Sequence, residues 1–214
     1  MLQMAQGSRA PSSLHRTSPV IRSVKNIPLA GRRVFIRADF DLPLGKKSGV
    51  PQRRIADSLP TIRLALEQKA RVVVLTHQGS LKAAWHPERT LEPSVQYAVA
   101  QLDTEAILAD DCAGDAVRKL LGDLGEGQLL FLENLACRSW EIDCRQEYAA
   151  FLAKYCDVYV NEAFAQANRR LTSTVLLPAL VEDKCAGLRF IEEAARLDAV
   201  RFKHLPACEA LNEA

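Results

Sequence analysis

Four clusters of polar residues in this 214-residue chain each follow directly on a short apolar run. Arg37, Asp39 and Asp41 come after one run, and His77, Gln78, Gly79 and Ser80 after another. Glu133, Asn134 and Arg138 follow a later run, and Asn161, Glu162, Arg169 and Arg170 follow the last. Arg54 stands at the start of a helical pattern. Arginine offers planar, bidentate hydrogen bonding to carboxylate and phosphate. Several such residues together suit a small, multiply anionic ligand. The same residues also read as solvated loop charges and helix caps, and spacing alone leaves both readings open.

The elements that must carry these clusters alternate along the chain. Residues 33–37 form a short β-rich run, and residues 54–69 place Ile55, Leu59, Ile62 and Leu66 at helical spacing. Residues 71–76 are continuously apolar, as in a strand covered on both faces. Helices are predicted over 91–102, 113–124 and 147–155, and strands over 106–108, 128–132 and 157–160. The segment 182–200 reads as helical, with a break at Gly187. Alternation of this kind predicts an α/β fold, a three-layer αβα arrangement around a mainly parallel sheet. In such sheets ligands bind outside the carboxyl ends of the strands, where the polar clusters fall.

Composition narrows the function classes. Hydrophobic residues make up 48% and charged residues 25%, ordinary for a globular domain. A net charge of +2 argues against a general nucleic-acid binder, which usually carries a strongly basic face. No apolar run approaches the ~18 residues of a membrane span. Six cysteines, at 112, 137, 144, 156, 185 and 208, form neither a CxxC pair nor zinc-type spacing, and read as reduced and structural. No acidic residue precedes Asp39, while Arg9, Arg16, Arg22 and Lys25 do. Such a leader reads as a disordered extension (residues 1–22) of a cytoplasmic protein, with an organelle transit peptide as the alternative. Pro11 and Pro19 interrupt any early amphipathic helix, and no apolar stretch marks a secretory signal.

Seven motifs, in order and at matching intervals, resemble the phosphoglycerate kinase family. Residues 37–43, RADFDLP, resemble RVDFNVP, and residues 54–62, RIADSLPTI, resemble that family's helix with Pro and Ile at the same places. Residues 73–79, VVLTHQG, resemble VVLxSHLGRP; residues 91–95, LEPSV, resemble SLxPVA; and residues 132–135, LENL, resemble LLENLRF. Residues 157–164, DVYVNEAF, resemble DVYVNDAFGxAHRxHxS, and Gly187 resembles the start of GFLMxKEL. The resemblance covers residues 23–200. It implies a Rossmann-like N-terminal lobe that holds 3-phosphoglycerate in a basic patch, while a C-terminal lobe holds Mg-ATP or Mg-ADP. Its reaction is phosphoryl transfer between 1,3-bisphosphoglycerate and ADP, in glycolysis and carbon fixation, where positioning and charge stabilisation dominate.

The family's roles map onto individual positions. Asp39 stands where an Asp orients the substrate hydroxyl. Arg54 stands where an Arg contacts substrate and stabilises charge on the moving phosphoryl, a catalytic role. His77 matches a substrate-contacting His, and Arg169 a phosphate-contacting Arg. Three positions depart: Asp41 replaces Asn, Ser80 replaces the Arg of HLGR, and Ala136 replaces the Arg of ENLRF. Each lost Arg–anion contact would cost ~1.5–3 kcal/mol. Arg138, Lys82 and Arg170 are candidate replacements. The case for Arg138 is that positions two apart share a face in an extended segment. Leu171 and Asn168 stand where the family has His.

The resemblance stops before the nucleotide lobe. Residues 201–214 read as a hinge and tail without the family's LGGAK turn, and no GxxxxGKS or GxGxxG motif is present. No cofactor or metal is expected on this chain; the family's Mg-nucleotide belongs to the other lobe. Three functions follow as expectations. The chain could be the substrate half of a phosphoglycerate kinase, completed by a separate nucleotide-binding lobe. It could be a non-catalytic module for a phosphorylated acid or a partner protein. It could be an inert remnant.

Overall fold

The computed structural model describes residues 21–40, 50–79, 86 and 89–210, of which 50, 51 and 200–210 are described by backbone alone. Six strands form one parallel sheet in the order β3-β4-β2-β1-β5-β6. They are β1 (Arg33–Arg37), β2 (Arg71–Leu75), β3 (Ile107–Leu108), β4 (Leu129–Phe131), β5 (Val158–Asn161) and β6 (Asp183–Ala186). Among the described residues seven helices accompany them: α1 (Val50–Glu67), α2 (Glu92–Leu102), α3 (Asp115–Asp123), α4 (Ser139–Ile142), α5 (Gln146–Ala153), α6 (Leu177–Leu180) and α7 (Leu188–Ala210). The fold is α/β, as the alternation predicts.

The two central strands show why the apolar runs pair this way. Val34, Phe35 and Ile36 of β1 and Val72, Val73 and Val74 of β2 are all fully buried. β1 lies in register between β2, with Phe35 opposite Val73, and β5, with Phe35 opposite Tyr159. Alternate side chains feed two separate cores. Val34, Ile36, Val72 and Val74 pack with Ile55 and Ile62 of α1 and Ala98 of α2. Phe35, Val73 and Leu75 pack with Leu121 of α3, Leu152 of α5 and Leu177 of α6. A sheet buried on both faces needs apolar residues at consecutive positions, which is the pattern seen.

Chain direction defines the ligand crevice. From β1 the chain leaves through α1 to β2 on one side, whereas β5 leads to β6 on the other. The connections therefore diverge at the carboxyl ends of β1 and β5, the switch point where such sheets place ligands. Residues Ala38 to Phe40 are held there by the Ala38 amide on the Leu75 carbonyl (2.9 Å) and the Phe40 amide on Thr76 Oγ1 (3.1 Å).

One segment differs from expectation. Residues 183–186 are not helical but form the edge strand β6, paired in parallel with β5, with Val158 opposite Asp183 and Asn161 opposite Ala186. Local patterning favours a helix across 182–200, but distant partners decide otherwise. The Ala186 amide donates to the Arg22 carbonyl (2.9 Å), and Asp183 accepts from Arg22 (2.9 Å) and Arg32 (2.7 Å). Gly187 is the junction, and α7 then runs for 23 residues, ~34 Å. α4, α6 and the π-helical turn Thr172–Leu176 have no counterpart in the sequence reading. No described helix is long and apolar enough to cross a membrane. The five described cysteines, Cys112, Cys137, Cys144, Cys156 and Cys185, are free thiols.

Candidate functional site

Asp39 and Arg54 meet at the switch point. The turn after β1 presents Asp39, and the amino-terminal part of α1 presents Arg54, whose Nη1 lies 3.5 Å from Asp39 Oδ2. Half of the Arg54 side chain is exposed, against 15% for Asp39, so the guanidinium faces outward and the carboxylate backs it. The two residues line a cavity of about 250 Å³ with Ser58, Glu162, Phe164 and Arg189.

His77 is fully buried behind them, at the end of β2. Its Nδ1 lies 2.9 Å from Nη2 of Arg37. Burial pushes the imidazole pKa down to about 3, and the positive charges of Arg37, Arg169 and Arg54 push it in the same direction. His77 is therefore a neutral imidazole among three arginines, suited to donate a hydrogen bond rather than to carry charge. Arg169 is exposed, on the turn after β5, where its amide donates to the Gln166 carbonyl (3.0 Å) and its carbonyl accepts from Thr174 Oγ1 (2.7 Å). Asp39, Arg54, His77 and Arg169 thus gather at one end of the sheet. Arg170 is exposed on the same turn.

Arg138 is directed elsewhere. It makes two hydrogen bonds to Asp111, through Nε (2.8 Å) and through Nη2, and stacks 5.6 Å from the Trp140 ring. The extended geometry that would place it on the face of Ala136 is not present, because Leu135–Cys137 is a 3-10 turn. Ala136 is itself buried. Asp41, Ser80 and Lys82 lie outside the described residues.

The other polar strand ends are scaffolding. Glu133 accepts from Thr90 Oγ1 (2.8 Å), the Leu91 amide (2.9 Å) and the Asn134 amide (2.7 Å), fixing the entry to α2. Asn134 bonds both the amide and the carbonyl of Gln78, each at 3.0 Å, tying β4 to β2. Glu162 accepts from Thr61 Oγ1 (2.7 Å) and from the amides of Arg189 (3.1 Å) and Phe190 (3.4 Å) at the amino end of α7. Burial raises its pKa to about 7 against the pull of those donors.

Sequence reasoning did not foresee the α7 wall of the cavity. Arg189 pairs with Asp57 of α1 (3.5 Å) and with Glu193, and all three line the cavity with Asp39. An arginine two residues past the glycine junction is the only sequence signal for it. Among the described residues, no group of three or more His, Cys, Asp or Glu side chains is arranged to hold a metal ion.

The chain is 41% identical over 180 residues to the phosphoglycerate kinase of Anaeromyxobacter sp. (strain Fw109-5), covering 83% of this chain and 46% of that protein. It is 34% identical over 180 residues to the phosphoglycerate kinase of Bdellovibrio bacteriovorus, covering 84% of this chain and 45% of that one. It therefore spans about half the length of the relatives it matches. The solved phosphoglycerate kinase of Coxiella burnetii superposes with a TM-score of 0.71 at 31% identity, covering 82% of this chain and 43% of that one. That of Pyrococcus horikoshii OT3 gives 0.72 at 26% identity, covering 82% and 44%. The phosphoglycerate kinase family model matches residues 24–206, and the chain belongs to that family.

Proposed function

We propose that this chain is the substrate-binding half of a phosphoglycerate kinase-type site, holding 3-phosphoglycerate or a similar phosphorylated acid at the carboxyl ends of β1, β2 and β5. The observation that supports this reading is that Asp39 and half-exposed Arg54 line one cavity, with neutral His77 buried within the fields of Arg37, Arg169 and Arg54. Arg54 and Arg169 would take the anionic groups, His77 would donate to an oxygen, and Asp39 would orient a hydroxyl. Phosphoryl transfer would require a nucleotide-binding lobe carrying Mg-ATP or Mg-ADP, so the chain alone would bind without turning over. Arg54 would then stabilise the moving phosphoryl as its charge spreads. A cytoplasmic setting belongs to the same reading.

A second reading, a non-catalytic phospho-acid-binding module, is favoured by one observation. Ala136 replaces a family arginine and the nearby Arg138 is committed to Asp111. Calorimetric titration of the full chain with 3-phosphoglycerate at low salt tests binding, with Arg54→Ala as control. Binding that the control abolishes is expected. A folded chain that binds no 3-phosphoglycerate at millimolar concentration overturns the substrate reading. Adding a relative's nucleotide lobe and Mg-ATP then separates the two readings, since only the first predicts turnover.

A further inference from the structure

The charge of Arg37 lies inside the protein, with no exposed surface, yet the proposed site does not touch its guanidinium directly. Three donors of Arg37 are spoken for. Nη1 donates to the Ala38 carbonyl (2.6 Å), Nε to Ser173 Oγ (2.8 Å), and Nη2 meets His77 Nδ1 (2.9 Å). Ser173 in turn donates its hydroxyl to Glu141 Oε1 (2.5 Å), and its amide donates to Glu141 Oε2 (3.0 Å). Glu141 has no exposed surface either. The buried cation and the buried carboxylate are therefore joined through one serine hydroxyl. Isolated, each would be costly to bury; paired and hydrogen-bonded, they offset one another.

The direction of every bond in this chain is determined. A guanidinium only donates. Ser173 Oγ must therefore accept from Arg37, which leaves its single proton for Glu141. By the same reasoning His77 Nδ1 must be the acceptor, so the ring proton resides on Nε2. We propose that Glu141, acting through Ser173 and Arg37, is a positioning residue that fixes His77 as the Nε2–H tautomer, so that the histidine meets the phosphorylated acid as a neutral donor. This rests on the substrate reading above for its ligand, but the relay itself is a property of the empty chain.

The geometry around Ser173 supports a built device. The hydroxyl lies in the π-helical turn Thr172–Leu176, a form often found at functional sites. That turn is pinned on three sides. Tyr159 Oη donates to the Ser173 carbonyl (2.7 Å), Thr172 Oγ1 donates to the Trp140 carbonyl (2.7 Å), and the Leu171 amide donates to Thr174 Oγ1 (3.2 Å). Burial leaves the Glu141 pKa above its ordinary value, against the downward pull of the Arg37 charge and the two bonds from Ser173. Without Glu141 the buried guanidinium loses its counter-charge and the anchored Ser173 that aims it, so its Nη2 is no longer held against His77 Nδ1 and the tautomer is no longer enforced.

The test uses the full chain labelled with 15N-histidine, read by two-bond proton–nitrogen spectra. The His77 signal is identified as the one lost in His77→Gln. Wild type is expected to show the proton on Nε2 throughout pH 5–8. Glu141→Gln and Ser173→Ala are expected to give a tautomer mixture and to weaken 3-phosphoglycerate binding about tenfold. Ser173→Thr, which keeps the hydroxyl, is expected to restore both. Folding of each variant is checked by thermal melting. A folded Ser173→Ala or Glu141→Gln with an unshifted His77 spectrum overturns the proposal, as does wild-type His77 protonated on Nδ1. Should both variants fail to fold, Glu141→Asp decides, since it keeps the charge but withdraws the carboxylate from Ser173: a folded Glu141→Asp with an unshifted His77 spectrum overturns the proposal. The spectra need no ligand, so a relay that holds in a chain unable to bind 3-phosphoglycerate would sink the substrate reading alone.

Discussion

A methyl group placed on Gly187 would lie 1.8 Å from Glu162 Oε2, so the carboxylate that caps α7 occupies the volume any larger residue would need. The glycine is required by close approach, at the point where β6 gives way to α7. Gly187→Ala must displace a buried, triply hydrogen-bonded side chain, and is expected to cost about 2–3 kcal/mol in urea unfolding. Shortening the carboxylate with Glu162→Asp should recover part of that loss in the double variant. Additive losses from the two changes would mean that the contact does not couple them.

Glu162 also predicts a pH dependence. Its folded pKa, about 7, lies above the ordinary 4.5, because burial disfavours the anion. The folded chain therefore holds this proton more tightly than the unfolded chain between those values. The resulting stability is complete below about pH 4.5 and is lost as pH rises to about 7, a change of about 3 kcal/mol. Glu162→Gln should remove that loss, so its stability advantage over wild type should grow from pH 4.5 to 7. A constant difference across that range would show that Glu162 does not titrate with folding.

His77 acts in the opposite sense. Its folded pKa is lowered to about 3 from 6.5, so folding excludes a proton that the unfolded chain binds. Its contribution is complete above about pH 6.5 and is lost as pH falls toward 3, by about 4–5 kcal/mol. In wild type this trend masks that of Glu162 where the windows overlap. His77→Gln should flatten the acid limb of the stability profile, as measured by urea midpoints from pH 4 to 7.

Arg54 and Arg138 should separate binding from stability. The Arg54 side chain is half exposed and meets Asp39 at 3.5 Å, so Arg54→Ala should change stability by less than about 0.5 kcal/mol. Its loss should still weaken 3-phosphoglycerate binding at least about 30-fold, since the contact is charge-assisted. A loss of stability comparable to the binding loss would make Arg54 a structural residue.

Arg138→Ala should do the reverse. Its two bonds to Asp111 and its stacking on Trp140, discounted for exposure, make the expected cost about 1 kcal/mol of stability. Binding of 3-phosphoglycerate should stay within about twofold. A tenfold loss of affinity in a stable variant would instead identify Arg138 as a replacement for the family's missing arginine.

The sheet, its parallel sense and the end at which polar residues gather were legible in sequence, because residues such as Val72, Val73 and Val74 are apolar without alternation and must be covered on both faces. Family motifs added Asp39, Arg54, His77 and Arg169, which come to one end of the sheet because β1, β2 and β5 lie side by side and parallel. Tertiary structure alone decided the rest. Residues 183–186 became a strand because Arg22, Arg32 and the open edge of β5 satisfied their polar groups. Arg138 went to Asp111 because a 3-10 turn re-aimed it. Whether an arginine faces a ligand or a buried carboxylate depends on partners distant in sequence: Arg37 and Ser173 are 136 positions apart. Local patterning records burial and period, whereas electrostatic pairing is settled only when the chain has closed on itself.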